Sequence, residues 1–272
     1  MSLVSTEWLN ENHSKVKIID ASWHMPNANR NAYEEYKTQH ISNAIFFDID
    51  KFSNQKTDLP HMLPEEKEWE KIVSNLGITN DDRIIVYDNS DVISSCRCWY
   101  TFIFFGHKPN LISVLNGGFL KWKKENRETS DRVSNQEKKN YKAIKISHLV
   151  KSKEEIDKNI LEKKFQVVDA RSKNRFLGLE KEPRQDVRSG SIQNSYCLPF
   201  GELINPEDKT FIEKNLIKKK FTNIGINNKN NIVFSCGSGI TAAVLGLAYS
   251  IINDKYLPAV YDGSWAEYGK IK

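Results

Sequence analysis

The chain has 272 residues, of which 39% are hydrophobic and 28% are charged, values typical of a folded globular protein rather than a disordered one. Lysine and arginine number 40 against 35 aspartate and glutamate, which gives a net charge of +5. A mild positive excess spread along the chain argues against a nucleic-acid-binding protein, although it favours small anionic substrates. No apolar run approaches the length of about 18 residues that a membrane helix needs, so we expect no membrane partner.

The four cysteines are too few and too scattered to cross-link a chain of this length. Together with a start that lacks a signal-peptide pattern, this predicts a protein of the reducing cytoplasm. Cys96 and Cys98 lack a second Cys or His pair at ligand spacing, so we expect buried packing rather than a metal site. Cys197 lies in the apolar stretch 196–200, where a core thiol is expected. Cys236 has different surroundings.

The predicted elements of the first half begin with a short buried strand at 16–20 that ends in an aspartate. A helix follows at 65–76, then a strand at 84–87 and a helix at 98–105. Short apolar strands that alternate with helices indicate a parallel or mostly parallel sheet with helices on both faces. In such α/β folds ligands bind where strands end and helices begin.

The second half repeats landmarks of the first at a nearly constant spacing of about 150 residues, which indicates an internal duplication. The matched pairs are Asp20 with Asp169, Ile41 with Ile192, Asp88 with Cys236, and Gly117 with Gly263. A polar segment between the halves has the composition of an exposed linker. We therefore predict two tandem α/β domains at 1–130 and 143–272, joined by a linker at 131–142.

One loop of the second half has the composition of a reactive site. It lies between a buried strand at 232–235 and a predicted helix at 242–252, and it consists of Cys236, Gly237, Ser238, Gly239, Ile240 and Thr241. Two glycines let the backbone curl so that N–H groups face one spot, and the helix adds its positive end. Such surroundings stabilise a thiolate, so Cys236 is a candidate nucleophile; a turn that merely contains a buried cysteine is the alternative.

The matching position in the first half is Asp88, which cannot act as a sulfur nucleophile. Only the second domain is therefore predicted to be catalytic. Further segments form a specific set: 45–50, 61–64, 105–107, 117–119, 121–122, 169–171, 175–178, 182–184, the Cys236 loop and 261–265. On these residues, which extend over almost the whole chain, the sequence resembles the tandem-domain rhodanese family, and within it most closely the 3-mercaptopyruvate sulfurtransferases.

The resemblance implies two tandem rhodanese-like domains, an inactive first domain and a persulfide intermediate on Cys236. It also bears on the sulfur donor. Thiosulfate-using relatives carry basic residues after the cysteine, whereas Gly237 and Ser238 are uncharged and resemble the mercaptopyruvate type. Arg175 and Arg184 match two arginines that hold the substrate's carboxylate and keto group, a contact that suits the paired N–H donors of a guanidinium.

Further roles follow from the resemblance alone. Ser238 matches a loop serine proposed to relay protons, and Asp50 and His61 match acidic and histidine positions for which we expect a catalytic role. The other loop residues expected to line the donor are Gly237, Gly239, Ile240 and Thr241. The chain departs from the family's usual Gly-His-Ile-Pro-Gly-Ala segment at 39–44 and 190–195, which shape a turn rather than hold substrate.

We therefore predict a sulfurtransferase that takes sulfur from 3-mercaptopyruvate, holds it on Cys236 and passes it to thioredoxin, a small thiol or cyanide. No metal or organic cofactor is required. Two alternatives are a thiosulfate:cyanide sulfurtransferase with the same fold and a persulfide carrier module without enzymatic activity. A cysteine phosphatase is disfavoured, because it would need an arginine six positions after the cysteine, where Ala242 stands.

Overall fold

The computed structural model describes residues 2–227, 231–253 and 256–271 of the chain, which form two compact units. The first unit comprises Met1–Gln55, Leu63–Ile146 and Pro206–Phe211, and the second comprises Lys56–Met62, Ser147–Asn205 and Ile212–Lys272. Residues 131–142 contain no helix or strand and group with the first unit. Their role as a linker stays a prediction.

The described part of the first unit contains a five-stranded parallel sheet and a two-stranded antiparallel one. Its strands are β1 (Leu3–Val4), β2 (Lys17–Asp20), β3 (His40–Ile41), β4 (Ala44–Phe46), β5 (Ile84–Tyr87), β6 (Ile112–Leu115) and β7 (Thr129–Ser130). Its helices are α1 (Thr6–Asn12), α2 (Ala32–Thr38), α3 (Glu66–Asn75), α4 (Ser95–Phe104) and α5 (Gly118–Lys124). The strand order in the parallel sheet is β1-β6-β5-β2-β4, and β3 pairs with β7.

The described part of the second unit contains a parallel sheet that repeats the first one strand for strand. Its strands are β8 (Val150–Lys151), β9 (Gln166–Asp169), β10 (Tyr196–Cys197), β11 (Ile232–Ser235) and β12 (Ala259–Tyr261). Its helices are α6 (Lys153–Glu162), α7 (Lys173–Phe176), α8 (Lys214–Asn223), α9 (Ile240–Ile252) and α10 (Ser264–Tyr268). The order β8-β12-β11-β9-β10 matches β1-β6-β5-β2-β4, so the duplication predicted from the sequence is confirmed.

The centre of each sheet is formed by a strand with no exposed residue, β5 in the first unit and β11 in the second. Runs of branched and aromatic side chains suit strands that are covered on both faces. Helix α9 starts at Ile240, two residues before the predicted start, because Gly239 takes the N-cap position with a left-handed φ of 83°. No helix in the described part of the chain is long and apolar enough to cross a membrane.

Gly246, in the middle of α9, provides a test of this packing. An alanine in place of a helical glycine usually stabilises a helix by about 0.5–1 kcal/mol. Here a Cβ would lie only 2.7 Å from Cβ of Pro258 and 3.6 Å from Cδ2 of Phe234, and the proline ring has little freedom to move away. We therefore expect Gly246→Ala to lower the midpoint of thermal unfolding by several degrees, measured by circular dichroism.

Gly201→Ala is the matched control, because a Cβ at Gly201 meets no atom within 4 Å. Its midpoint should equal or exceed that of the wild type. A Gly246→Ala protein that unfolds at or above the wild-type temperature would contradict the close approach of α9 and Pro258.

Candidate active site

Cys236 lies at the carboxyl end of β11, directly before the turn into α9, and its residue is 2% exposed. The Gly239 N–H donates to the Cys236 sulfur over 3.1 Å. This direction of the N–H requires the Gly239 φ of 83°, which glycine adopts readily and residues with a Cβ rarely adopt. The first N–H groups of α9 lack partners within the helix, and the helix dipole adds a positive end beside the sulfur.

The first residues of α10 form hydrogen bonds with the cysteine loop. The Ser264 hydroxyl accepts the Cys236 N–H at 3.2 Å and donates to the Tyr261 carbonyl at 2.8 Å. The Trp265 N–H donates to the Cys236 carbonyl at 2.9 Å, and the Ala266 N–H donates to the Gly237 carbonyl at 2.8 Å. The backbone on both sides of the sulfur is therefore fixed by hydrogen bonds.

Ser238 and His61 form a polar pair within the second unit, to which the segment Lys56–Met62 belongs. The His61 Nδ1 and the Ser238 Oγ lie 2.9 Å apart, and which of them donates depends on the imidazole tautomer. His61 is 6% exposed and has a φ of 59°, a strained region for a residue with a side chain. The structure therefore brings together two of the predicted site residues, one of them on the cysteine loop itself.

Arg175 stands against the same loop. It belongs to the short helix α7, and a Cβ placed on Gly237 would lie 3.4 Å from the Arg175 Nη2. Its guanidinium donates to the Glu182 carboxylate through Nε at 3.2 Å and Nη2 at 2.5 Å. A cationic group capable of binding a carboxylate is thus present beside the loop, and donor binding by Arg175 stays a prediction.

The remaining predicted site residues are Arg184, Asp50, Ile240 and Thr241. Arg184 is exposed, and its side chain makes no hydrogen bond or ion pair within the described residues. Asp50 belongs to the first unit, where its carboxylate accepts the Trp23 indole N–H at 2.9 and 3.0 Å. Ile240 is buried at the first position of α9 and Thr241 is half-buried behind it. The functional roles of these four residues stay predictions.

The first unit has a carboxylate, that of Asp88, at the position that corresponds to Cys236. Asp88 follows β5 as Cys236 follows β11, and its Oδ2 accepts the Ser95 N–H at 2.8 Å at the start of α4. Its Oδ1 accepts the Ser90 N–H at 3.0 Å. Burial raises the pKa of Asp88. One backbone N–H at the start of α4 is therefore bonded to the protein's own carboxylate.

Comparison with known proteins agrees with this architecture. The family model for the Rhodanese-like domain matches residues 5–125 and again residues 152–270. The chain belongs to the rhodanese family. The thiosulfate/3-mercaptopyruvate sulfurtransferase 1, mitochondrial, of Arabidopsis thaliana is 36% identical, and the match covers 98% of this chain and 75% of the relative. The 3-mercaptopyruvate sulfurtransferase of Mus musculus is 35% identical, with coverages of 98% and 91%.

Among solved structures, SseA from Escherichia coli, described as a 3-mercaptopyruvate sulfotransferase with the rhodanese fold, superimposes with a TM-score of 0.87. Its sequence identity is 29%, and the match covers 97% of this chain and 99% of that one. The prediction of two rhodanese-like domains in an α/β fold is therefore confirmed. The Ser264 contact to the cysteine loop was not anticipated from the sequence, although the paired landmarks at Gly117 and Gly263 mark this turn in both rhodanese units.

The other cysteines of this rhodanese have environments unsuited to a nucleophile. Cys96 and Cys98 are buried in α4 as predicted, and burial raises the pKa of both thiols well above its ordinary value. Cys197, expected in the core, is only half-buried because it lies at the end of the edge strand β10. Its pKa is raised to about 11, chiefly by burial. In the described residues no group of three metal-ligating side chains occurs.

Cys236→Ala should abolish sulfur loading and leave the fold intact, because Cys236 is the only one of the four described cysteines whose sulfur accepts a loop N–H at a helix start. After treatment with a sulfur donor, mass spectrometry of the wild-type protein should find one added sulfur atom on the peptide that contains Cys236. Cys197→Ser serves as the control and should load normally. Sulfur found on a different cysteine would refute the assignment.

Proposed function

We propose that the protein transfers sulfur from 3-mercaptopyruvate to the Cys236 thiolate, releases pyruvate, and passes the sulfur to a thiol or cyanide acceptor. The observation that carries this proposal is the Cys236 sulfur held at 3.1 Å from the Gly239 N–H, between a strand end and a helix start. Family membership and the names of the relatives support the reaction class.

The proposed first step forms one bond and breaks one. The Cys236 thiolate attacks the donor's sulfur, the carbon–sulfur bond breaks, and its electron pair passes to the enolate of pyruvate. The thiol proton of the donor stays on the outer sulfur of the persulfide, so the enolate needs one further proton to become pyruvate. In the second step an acceptor thiolate or cyanide attacks the outer sulfur and releases the Cys236 thiolate. No redox cofactor takes part.

The Ser238 hydroxyl and the His61 imidazole are our candidates for supplying that proton. A hydroxyl on the cysteine loop that shares a hydrogen bond with an imidazole can donate at the enolate and be recharged through the ring. The hydrogen bond supports a role as a pair rather than as two independent groups. We propose Asp50 as an additional catalytic residue only on the resemblance to the family.

We propose that the donor's carboxylate and keto oxygen are recognised by Arg175 and Arg184. Arg175 is supported by its position beside Gly237 of the cysteine loop, whereas Arg184 is supported by the family resemblance and by its exposed side chain. The uncharged loop residues Gly237 and Ser238 also fit a keto acid better than a dianion. Thiosulfate is the second candidate donor, because the Arabidopsis relative's name includes both donors.

Among acceptors we propose thioredoxin or a small thiol, since a thiolate attacking a persulfide needs no further group from the enzyme. We propose the cytoplasm as the compartment. A reducing environment suits a chain whose four cysteines are all unpaired thiols, two of them buried in one helix. Carbon–sulfur cleavage over many turnovers would separate this enzyme from a carrier that only presents a persulfide.

Ser238→Ala and His61→Ala should each lower kcat for pyruvate formation by roughly 100-fold, the usual contribution of a general acid. Because the two side chains form one hydrogen-bonded pair, the double variant should be no slower than the worse single variant. Pyruvate release at saturating mercaptopyruvate measures this. Multiplicative losses in the double variant would show that the two groups act independently.

Arg175→Ala should reduce kcat/KM for mercaptopyruvate by roughly 10- to 150-fold, since a hydrogen bond to a charged group contributes about 1.5–3 kcal/mol. Arg184→Ala should act in the same direction, and turnover of thiosulfate should change much less in both variants. Lys173→Ala is the control: it removes a positive charge from the same helix, but Lys173 is 67% exposed and pairs with Glu202.

The deciding quantity is the ratio of kcat/KM for the two donors in wild type and in each variant. A wild type that prefers thiosulfate, or arginine variants that lose both donors equally, would replace mercaptopyruvate with thiosulfate as the donor.

A further inference from the structure

Glu182 is a carboxylate with only 4% of its side chain exposed, in the loop between α7 and β10. A buried carboxylate is stable only when it is paired and hydrogen-bonded. Both hydrogen-bonding partners of this carboxylate among the described residues are arginines. Its Oε1 accepts from the Arg171 Nη1 at 2.7 Å and from the Arg175 Nε at 3.2 Å, and its Oε2 accepts from the Arg175 Nη2 at 2.5 Å.

Arg171 ties this carboxylate to the rigid end of strand β9. The Arg171 side chain is 1% exposed and its Nη2 donates to Asp169 at 2.7 Å and to the Gly190 carbonyl at 2.8 Å. Its guanidinium also stacks over the Trp265 ring at 4.5 Å. Arg171 has no N–H edge left to turn toward a ligand without breaking these contacts, so its role toward Glu182 is that of a fixed anchor.

Arg175 differs from Arg171 in this respect. Its Nε and Nη2 edge faces Glu182, while its Nη1 makes no hydrogen bond to any described residue, and 20% of the side chain is exposed. Nη2 lies beside Gly237 of the cysteine loop. Because a guanidinium is planar, fixing one edge fixes the direction of the N–H groups that remain. Glu182 therefore sets the direction in which Arg175 can donate.

The charges of this cluster cancel. Asp169 and Glu182 carry two negative charges, and Arg171 and Arg175 carry two positive ones. A donor that meets Arg175 is therefore held by oriented hydrogen bonds more than by net charge. That arrangement suits a planar carboxylate with one negative charge and gives little extra attraction to a compact dianion.

We infer that Glu182 is a positioning residue that orients Arg175 at the cysteine loop and determines the preference for a keto-acid donor over a dianionic one. This inference rests on the proposed function, because it assigns Arg175 to the donor. No direct contact between Glu182 and the donor is required.

Glu182→Gln tests the inference with little change in shape. The amide removes the negative charge and places an NH₂ group where one guanidinium now donates. We expect KM for mercaptopyruvate to rise roughly ten-fold, with a much smaller change in kcat, because a fixed charged hydrogen bond is lost. The kcat/KM for thiosulfate should hold or rise, since the substitution removes the negative charge that offsets Arg175, so the ratio of the two donors should fall at least ten-fold.

Glu180→Gln is the matched control, an exposed glutamate of the same loop whose carboxylate, among the described residues, accepts a hydrogen bond only from the Ser172 hydroxyl. It should keep the wild-type donor ratio. Discharge of a preformed persulfide to a thiol, measured in a single turnover, should be unchanged in Glu182→Gln, because that step does not involve the donor's carboxylate. Equal losses for both donors together with slower discharge would show a purely structural role and overturn the inference.

A double-mutant cycle separates this inference from the proposed function. In the Arg175→Ala background, Glu182→Gln should lower kcat/KM no further, whichever donor the enzyme prefers. If wild type prefers thiosulfate, the proposed donor is wrong while the cycle still tests the coupling of Glu182 to Arg175. Should Glu182→Gln fail to fold, Glu182→Asp, which keeps the charge and shortens the reach, replaces it in the same cycle. Additive losses refute the inference.

Discussion

The hydrogen bond from the Gly239 N–H to the Cys236 sulfur is the contact on which the geometry of the proposed active site depends. It requires a left-handed backbone at Gly239, which a glycine adopts at little cost, and a cysteine backbone that does not shift. The second condition is met by α10, whose first residues bond both flanking peptide groups of the cysteine. Strand β11, helix α9 and helix α10 thus converge on one sulfur atom.

The same backbone arrangement occurs in both units, but it carries different side chains. In the first unit the Phe119 N–H donates to the Asp88 carbonyl at 2.9 Å, as the Trp265 N–H donates to the Cys236 carbonyl in the second. Asp20 ends β2 as Asp169 ends β9, but it faces the Ser22 hydroxyl, and its pKa is raised to about 6 chiefly by burial. The second unit places Arg171 at the matching position. Duplication therefore kept the strand ends and turns while the side chains at them diverged.

Sequence patterns predicted the elements whose residues are uniform in character. The strands at 84–87 and 232–235 occur at the predicted bounds because short runs of branched and aromatic residues are typical of a fully covered strand. The cysteine loop was equally predictable, since glycines and a helix start occur together in the sequence. Alanine at a helical glycine usually stabilises a protein, and the opposite effect expected for Gly246→Ala could not be predicted from the sequence. The clash with Pro258 depends on how α9 lies against the following segment.

The polar contacts of the site could not be predicted from sequence patterns either, for a different reason. Ser264 lies 28 residues after the peptide it binds, and no periodicity relates the two. His61 and Ser238 are 177 residues apart, so their pairing exists only through the tertiary fold, and family resemblance could name both residues without giving the contact. Glu182 lies two positions before Arg184 in the sequence, yet its bonds go to Arg175, the other predicted substrate arginine, and to Arg171.

The pairing of Arg175 with Glu182 bears on which group the arginine acts on in the proposed reaction. A nearby unpaired cation that lowers the pKa of a thiol makes its thiolate more abundant but each thiolate less nucleophilic. A guanidinium beside the loop would have this effect if its charge were not offset. Pairing Arg175 with Glu182 leaves its N–H groups directed while reducing its field at Cys236. In the proposed reaction the arginine therefore acts on the donor rather than on the nucleophile.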